Sequence, residues 1–298
     1  MPTTSTFCTI LHPPYTAWKQ AVEECERLKE AYGESGDDAV LTAFEEKKKE
    51  AEDARAKYEQ VAQEQVEMES KGGTTHTIIR ADALIIADIT DRCGSPEWGA
   101  EAGRVVYVNL NGATLPENIT FPDGVQKLWL NGASLPEGIT FPDGVQELLL
   151  DGATLPKGIT FPEGVQKLWL NGASLPENIT FPEGVRVLLL SGATLPENIT
   201  FPDGVQELWL NDTTLPENIT FPEGVQELWL SGTTLPEGIT FPDGVQTLWL
   251  SGTTLPEGIT FPDGVQKLGL GGATMTDAVR GYVHEYQKRN PNTTIVGM

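Results

Sequence analysis

Val125-Gln-Lys-Leu-Trp-Leu-Asn-Gly-Ala-Ser-Leu-Pro-Glu-Gly-Ile-Thr-Phe-Pro-Asp-Gly144 is one unit of a 20-residue repeat, and its pattern decides the fold. From Val105 the pattern recurs without insertion or deletion for eight full units to Gly264. A ninth begins at Val265 and breaks off after Thr274. With the unit's positions numbered 1 to 20, apolar residues return at 1, 4, 6, 11, 15 and 17, as in Val125, Leu128, Leu130, Leu135, Ile139 and Phe141. Positions 4 and 6 alternate with outward residues, the period of a strand, and positions 15 and 17 do the same around a threonine. Proline at 12 and 18 and glycine at 20 exclude a regular helix of any length.

Position 14 is always Asn or Gly (Asn118, Gly138, Gly158, Asn178), and position 8 is Gly except for Asp212. These residue types tolerate a left-handed backbone, so both positions read as corners. The apolar side chains of a lone unit cannot offset the entropy of ordering its backbone. Units must therefore stack and share their interfaces, which is the logic of a solenoid.

The pattern Val-x-x-Leu-x-Leu-x-Gly-x-x-Leu-Pro resembles a leucine-rich repeat. Its length and the following Phe-Pro resemble the short Leu-Pro class of bacterial effector proteins, and Phe-Pro-x-Gly-Val-x-x-Leu-x-Leu is similar to FNIP repeats. The resemblance implies a right-handed, mostly β solenoid with a parallel sheet and 20-residue coils. The family's turn-closing Asn at position 9 is Ala or Thr here (Ala113, Ala133, Thr213, Thr233). An asparagine ladder is thus not expected, and the position-10 Ser and Thr residues, Thr114 to Thr254, are candidates to satisfy that corner.

Around the array four segments follow: 1–74, an α-helical hairpin or coiled coil; 75–104, an N-terminal capping unit; 105–274, the solenoid; and 275–298, a C-terminal cap of helix and strand. In the first, Trp18, Val22, Cys25 and Leu28 share a helix face, and Phe44, Ala51, Ala54, Tyr58, Val61 and Met68 recur near heptad spacing in a second, longer helix. The seam is Ala-rich and interrupted by Lys47, which favours a hairpin packed on itself over a coiled coil joining two chains. Ser70 to Thr75 reads as a flexible joint. Within residues 84–104, Leu84, Ala87 and Ile89 echo positions 1, 4 and 6 of a degenerate opening coil. At the far end Thr276 is set to cap a helix to about Arg289, with Val279, Tyr282, Val283 and Tyr286 on one face, and Thr294-Ile295-Val296 to add a last strand.

A net charge of −23 argues against nucleic acid, whose phosphates need clustered Lys and Arg, and against anionic membranes. Cys8, Cys25 and Cys93 are too few and scattered for a disulfide framework or a zinc site, and they read as thiols of a reducing compartment. Met1 to Tyr15 has no basic stretch followed by an apolar one, so a cytoplasmic location is expected, with signal-less delivery to a host cell left open.

Position 5 carries the most informative stripe. It reads Asn109, Trp129, Leu149, Trp169, Leu189, Trp209, Trp229, Trp249 and Gly269. In a leucine-rich fold this side chain points outward from the sheet, and neighbouring coils lie about 4.8 Å apart, so the last three tryptophans form a continuous ladder. Trp129, Leu149, Trp169, Leu189, Trp209, Trp229 and Trp249 are the candidate binding residues. Three readings stay open: recognition of a protein or other ligand on this stripe, homo-oligomerisation through the stripe and the N-terminal helices, or tryptophans stacked on each other or covered by those helices. The acidic columns at position 13 (Glu117, Glu137, Glu177, Glu197) and position 19 (Asp123 to Asp263) offer oxygen ligands for Ca2+, yet solvated turns explain them equally. The Thr120 to Thr260 column at position 16 suits an ice-binding face or simple β propensity. Asn118, Asn178, Asn198 and Asn218 lie in Asn-Ile-Thr sequons that matter only along a secretory route. The full repeats contain no His or Cys, and His12, His76 and His284 lie far apart, so the expectation is no enzyme, no cofactor and no metal, and a protein partner or a second copy of the chain.

Overall fold

From the second coil on, each coil contributes one three-residue strand, and what fixes it is the Leu at position 4, which is fully buried in coil after coil. The computed structural model describes residues 20–31, 38–62, 65–71 and 73–297. The chain divides into two units, Met1–Val106 and Tyr107–Met298.

In the second unit the parallel sheet runs in chain order through β4 (Arg104–Asn109), β5 (Lys127–Trp129), β6 (Glu147–Leu149), β7 (Lys167–Trp169), β8 (Val187–Leu189), β9 (Glu207–Trp209), β10 (Glu227–Trp229), β11 (Thr247–Trp249), β12 (Lys267–Gly269) and β13 (Thr294–Val296). Register advances by 20 residues at each step from β4 to β12, so Leu128 pairs with Leu148 and Leu228 with Leu248. The Val, Leu, Leu and Ile at positions 1, 4, 6 and 15 fill the interior. Phenylalanines at position 17 stack along it, with centroids 6.3–6.5 Å apart in Phe141–Phe161 and Phe221–Phe241. Both corners take the left-handed backbone their residue types suggest: φ is +65° at Gly132, +58° at Asn118 and +55° at Asp212.

The coils close their backbone bonds largely with each other. Leu130 N–H donates to Leu149 O at 2.8 Å and Gly132 N–H to Asp151 O at 2.7 Å, while Ala133 N–H turns back to Leu130 O. A side-chain ladder also forms, contrary to the expectation from position 9. It stands two residues earlier, at position 7. Asn131 N–H donates to Asn111 Oδ1 at 2.7 Å, Asp151 N–H to Asn131 Oδ1 at 2.9 Å, Asn171 N–H to Asp151 Oδ1 at 2.8 Å and Ser191 N–H to Asn171 Oδ1 at 2.9 Å. A short acceptor placed just before the Gly corner reaches the next coil's backbone, which the Ala at position 9 cannot do. Where position 9 becomes Thr, the hydroxyls of Thr213 and Thr233 donate to Leu190 O and Leu210 O of the preceding coil. Position-10 residues join coils through their backbones instead, as the bridge Thr114↔Ser134 shows.

The C-terminal helix α4 (Asp277–Arg289) starts where its cap residue predicts, with Thr276 accepting from Val279 N–H. Val279, Val283 and Tyr286 are buried beneath it. Tyr286 donates to Pro262 O at 2.6 Å, and Tyr282 accepts from Phe261 N–H at 2.8 Å. Strand β13 then pairs with β12, Ile295 opposite Leu268. Gly297 lies so close to the Gly271 backbone that a Cβ on it would stand 2.4 Å from the Gly271 Cα.

The first unit contains the helical hairpin, α1 (residues 20–31) and α2 (Asp38–Ala62), with Ala21 and Ala51 buried and Lys47 donating to Glu50 at 2.6 Å along α2. Several of its details differ from the periodicity reading. Val22 is 37% exposed while Ala21 is buried, so Ala21 takes its place on the face that half-buried Cys25 and Leu28 share. Trp18 and Cys8 lie outside the described residues, as do the side chains of Tyr58 and Val61. Met68 is not helical. It lies in β1 (Gln65–Glu69), which pairs antiparallel with β2 (Thr75–Ile79), Met68 opposite His76. The supposed joint at 70–75 is the turn of this hairpin, held by Ser70 N–H donating to Thr74 O at 2.9 Å.

The expected opening coil at 84–104 is likewise not a coil over its first half. Ala83, Ile86 and Ile89 are buried at helical spacing on α3 (Arg80–Cys93), and no Gly or Pro interrupts them before Gly94; β3 (Glu97–Glu101) follows. Asp82 on this helix is 1% exposed and accepts from Arg104 Nε at 3.1 Å and from Val105 N–H at 2.8 Å. Asp82→Ala orphans both donors and is expected to cost about 2–3 kcal/mol, less than the ~3–5 of a fully buried ion pair because Arg104 reaches solvent. Urea denaturation of the full chain measures it, and Asp82→Asn, which keeps an acceptor, should recover about half.

Candidate interaction face

Strand alternation puts positions 3 and 5 on the outward face of the solenoid sheet and position 4 in the core. Trp209 and Trp229 stack with ring centroids 4.7 Å apart and planes 28° from parallel; Trp229 and Trp249 follow at 5.3 Å and 16°. The spacing is that of the strands, so the backbone register itself builds the stack. All five stripe tryptophans are partly buried. Trp129 meets Tyr107 edge-on at 4.8 Å, a contact the position-5 reading did not include and the position-3 column does. Leu149, between Trp129 and Trp169, is only 5% exposed and offers little surface, while Leu189 keeps some.

The ladder ends at Gly269 for a steric reason. A Cβ there would stand 2.0 Å from the six-membered ring of Trp249, so glycine is the seat on which that indole lies. Lys267 Nζ covers the same ring at 4.9 Å from its centroid, a cation over an aromatic face.

The indole N–H groups of Trp129, Trp169, Trp209, Trp229 and Trp249 are buried without a hydrogen-bond partner. An orphaned donor costs about 1–3 kcal/mol, offset in part at Trp209, Trp229 and Trp249 by ring stacking worth about 0.5–1.5 kcal/mol per pair beyond burial. Trp229→Phe removes the donor and keeps a ring, so its stability should stay within about 1 kcal/mol of the parent. Trp229→Ala should lose about 2–3 kcal/mol, below the ~3–5 of a fully buried aromatic. Denaturant titration separates them, and a Phe variant as weak as the Ala variant would mean the N–H contributes stability.

Elsewhere the candidate residues disperse. The carboxylates at positions 13 and 19 and the position-16 threonines are exposed in regular columns. Among the described residues no group of three or more His, Cys, Asp or Glu is placed to hold a metal ion, and no helix is long and apolar enough to cross a membrane. Cys25 and Cys93 are unpaired thiols, and burial pushes that of Cys93 above its ordinary value.

No protein-family model matches the chain, and no curated protein does. Among solved structures it is similar to YopM from Yersinia enterocolitica WA-314, at 15% identity and a TM-score of 0.45, over 65% of this chain and 46% of that one. It is similar to a Shigella effector leucine-rich-repeat domain at 14% identity and 0.45, over 64% and 80% of the two chains. A third is YopM, a leucine-rich effector protein from Yersinia pestis, at 15% and 0.33, over 65% of each chain. The chain thus spans less than half of the first and just under two thirds of the third. What decides the class is the coil itself, with one parallel Leu-x-Leu strand in every 20 residues. The solenoid is of leucine-rich-repeat type. In such a leucine-rich solenoid the outward sheet positions are free of any packing duty toward the core, so aromatic side chains there need a separate reason.

Proposed function

We propose that this protein is a non-enzymatic binding scaffold that recognises a protein partner on the Trp-lined outward face of its sheet. The observation carrying the reading is the stack of Trp209, Trp229 and Trp249 on consecutive strands of rigid sheet. Aromatic anchors held in place by a regular element lose little freedom on binding and supply most of an interface's energy. The acidic charge and the unpaired thiols fit a protein partner in a reducing compartment better than nucleic acid or a membrane.

Self-association through the same stripe is the second reading, since a copy running in the opposite direction would bring its Lys127 and Lys167 toward Glu207 and Glu227. Light scattering behind a sizing column is expected to show a monomer. The full chain should capture a discrete protein partner from its native source, and Trp209→Ala/Trp229→Ala/Trp249→Ala, with its fold checked by circular dichroism, should lose that partner. An oligomer that the triple variant dissolves, or unchanged capture by that variant, overturns the reading.

A further inference from the structure

The position-3 column beside the tryptophans divides the sheet face into two halves of different electrostatics. In the first, Lys127 pairs in register with Glu147 and Glu147 with Lys167, so opposite charges alternate on adjacent strands. In the second, Glu207 pairs with Glu227, like against like. Like charges directly opposite on neighbouring strands destabilise a sheet. No cation among the described residues forms an ion pair with either carboxylate. Between Arg186 and Lys267 every charged side chain is a carboxylate. The same strands carry the uninterrupted tryptophan stack, whereas the charge-balanced half alternates Trp with Leu. The repulsion therefore coincides with the half-buried aromatic stack. At the end of the stack the chain's own Lys267 already covers Trp249, which shows the chemistry this surface accepts.

Spacing selects the shape of the occupant. The ladder repeats at about 4.8 Å, close to the ~5.4 Å pitch of an α-helix lying along it. Same-face residues of an extended segment recur at about 6.6–6.8 Å and fall out of step within two coils. An apolar helix stripe flanked by a basic one matches adjacent columns of Trp and Glu.

We infer that the face formed by Glu207, Trp209, Glu227, Trp229 and Trp249 docks an amphipathic helix of a partner protein whose flank carries Arg or Lys. This inference rests on the scaffold reading and adds the partner's chemistry and conformation. The test uses the full chain and synthetic peptides of about 18 residues with identical Arg, Leu and Ala content, one ordered with helical period and one with strict alternation. A third has helical period with Glu in place of Arg. Indole N–H signals in 15N spectra report binding at the tryptophans.

The helical basic peptide is expected to bind at least about tenfold more tightly than either of the others. Glu207→Gln/Glu227→Gln should weaken it about tenfold, whereas Glu197→Gln/Glu217→Gln, equal in charge change but on the exposed position-13 column, should weaken it less than about twofold. Equal loss from both pairs reduces the effect to bulk charge and overturns the inference. Equal binding of all three peptides, abolished by Trp229→Ala, overturns it too while leaving the scaffold reading intact. Binding by none of the peptides, with partner capture still lost in the triple Trp variant, has the same meaning; with capture unaffected, both readings fall.

Discussion

Deleting residues 145–164, one whole coil, is expected to leave a folded solenoid, whereas deleting 145–154 abolishes cooperative folding. The first deletion joins Gly144 to Val165, and every partner that was lost has an equivalent one coil further on. Leu168 replaces Leu148 beside Leu128, and Asn171 N–H can meet Asn131 Oδ1, as Asp151 N–H did. Trp129 also comes to lie directly against Trp169, since the strand bearing Leu149 is gone. The half-coil deletion removes strand Glu147–Leu149 and keeps residues 155–164, so a corner faces a strand on both sides. The buried apolar side chains on each flank then lose their neighbours at about 1.5–3 kcal/mol each, and a few such losses exceed the ~5–15 kcal/mol stability of a typical domain. Thermal melts by circular dichroism distinguish the two. A sharp transition for the half-coil deletion would contradict the strict register described here. In the whole-coil deletion, a coupled indole signal stronger than that of the Trp209–Trp229–Trp249 stack already present checks the Trp129–Trp169 contact.

Tyr286→Ala should be the most damaging single substitution outside the repeats. Its side chain is fully buried, donates to Pro262 O at 2.6 Å and meets Phe261 edge-on at 5.4 Å. Truncation leaves a cavity between α4 and the last coil and an unpaired carbonyl, at about 3–5 kcal/mol. Tyr286→Phe keeps the packing and should lose only about 1–2 kcal/mol. Because coils are stabilised by their neighbours, loss at the cap is expected to fray the array from its C-terminal end, which hydrogen exchange locates. Burial raises the Tyr286 phenol above its ordinary value of 10.0. The folded chain thus holds the phenol neutral. Its contribution is fully present below pH 10.0 and disappears as pH rises through the raised value. An alkaline limb of the stability profile that persists unchanged in Tyr286→Phe would assign it to another group.

The solenoid was legible because a period without insertions leaves no freedom: positions 4 and 6 point inward in one coil and so in all. The cap was legible from Thr276 and from the spacing of Val279, Val283 and Tyr286. The first unit was harder, since it lacks repetition. Leu84, Ala87 and Ile89 fit a strand template loosely, while Ala83, Ile86 and Ile89 fit a helix, and only burial decides between the two. Met68 continued a heptad count, yet Val66 and Met68 alternate with exposed Glu67 and Glu69, the period of the hairpin they form. The side-chain ladder is hard to read from the family pattern, which places it at position 9, whereas Asn111, Asn131, Asp151 and Asn171 recur at position 7. Of the candidate interaction face, the Trp column was visible from the sequence. The division of the neighbouring column into balanced and unbalanced halves emerges only when register sets Glu207 beside Glu227.

The same uniformity has a consequence for how copies of the chain treat one another. A coil recognises its neighbour through Leu-x-Leu pairing that is nearly the same at every step, joined by the position-7 ladder where that position is Asn or Asp. Nothing in such a joint distinguishes a coil of the same molecule from one offered by another. When chains fold at high concentration, strands can be traded between molecules at little enthalpic cost, and connectivity rather than contact chemistry keeps each array whole. The C-terminal end is singular, since Tyr286, Gly269 and Gly297 each fit one partner there, and it gives the molecule a sense of position along an otherwise repeating track.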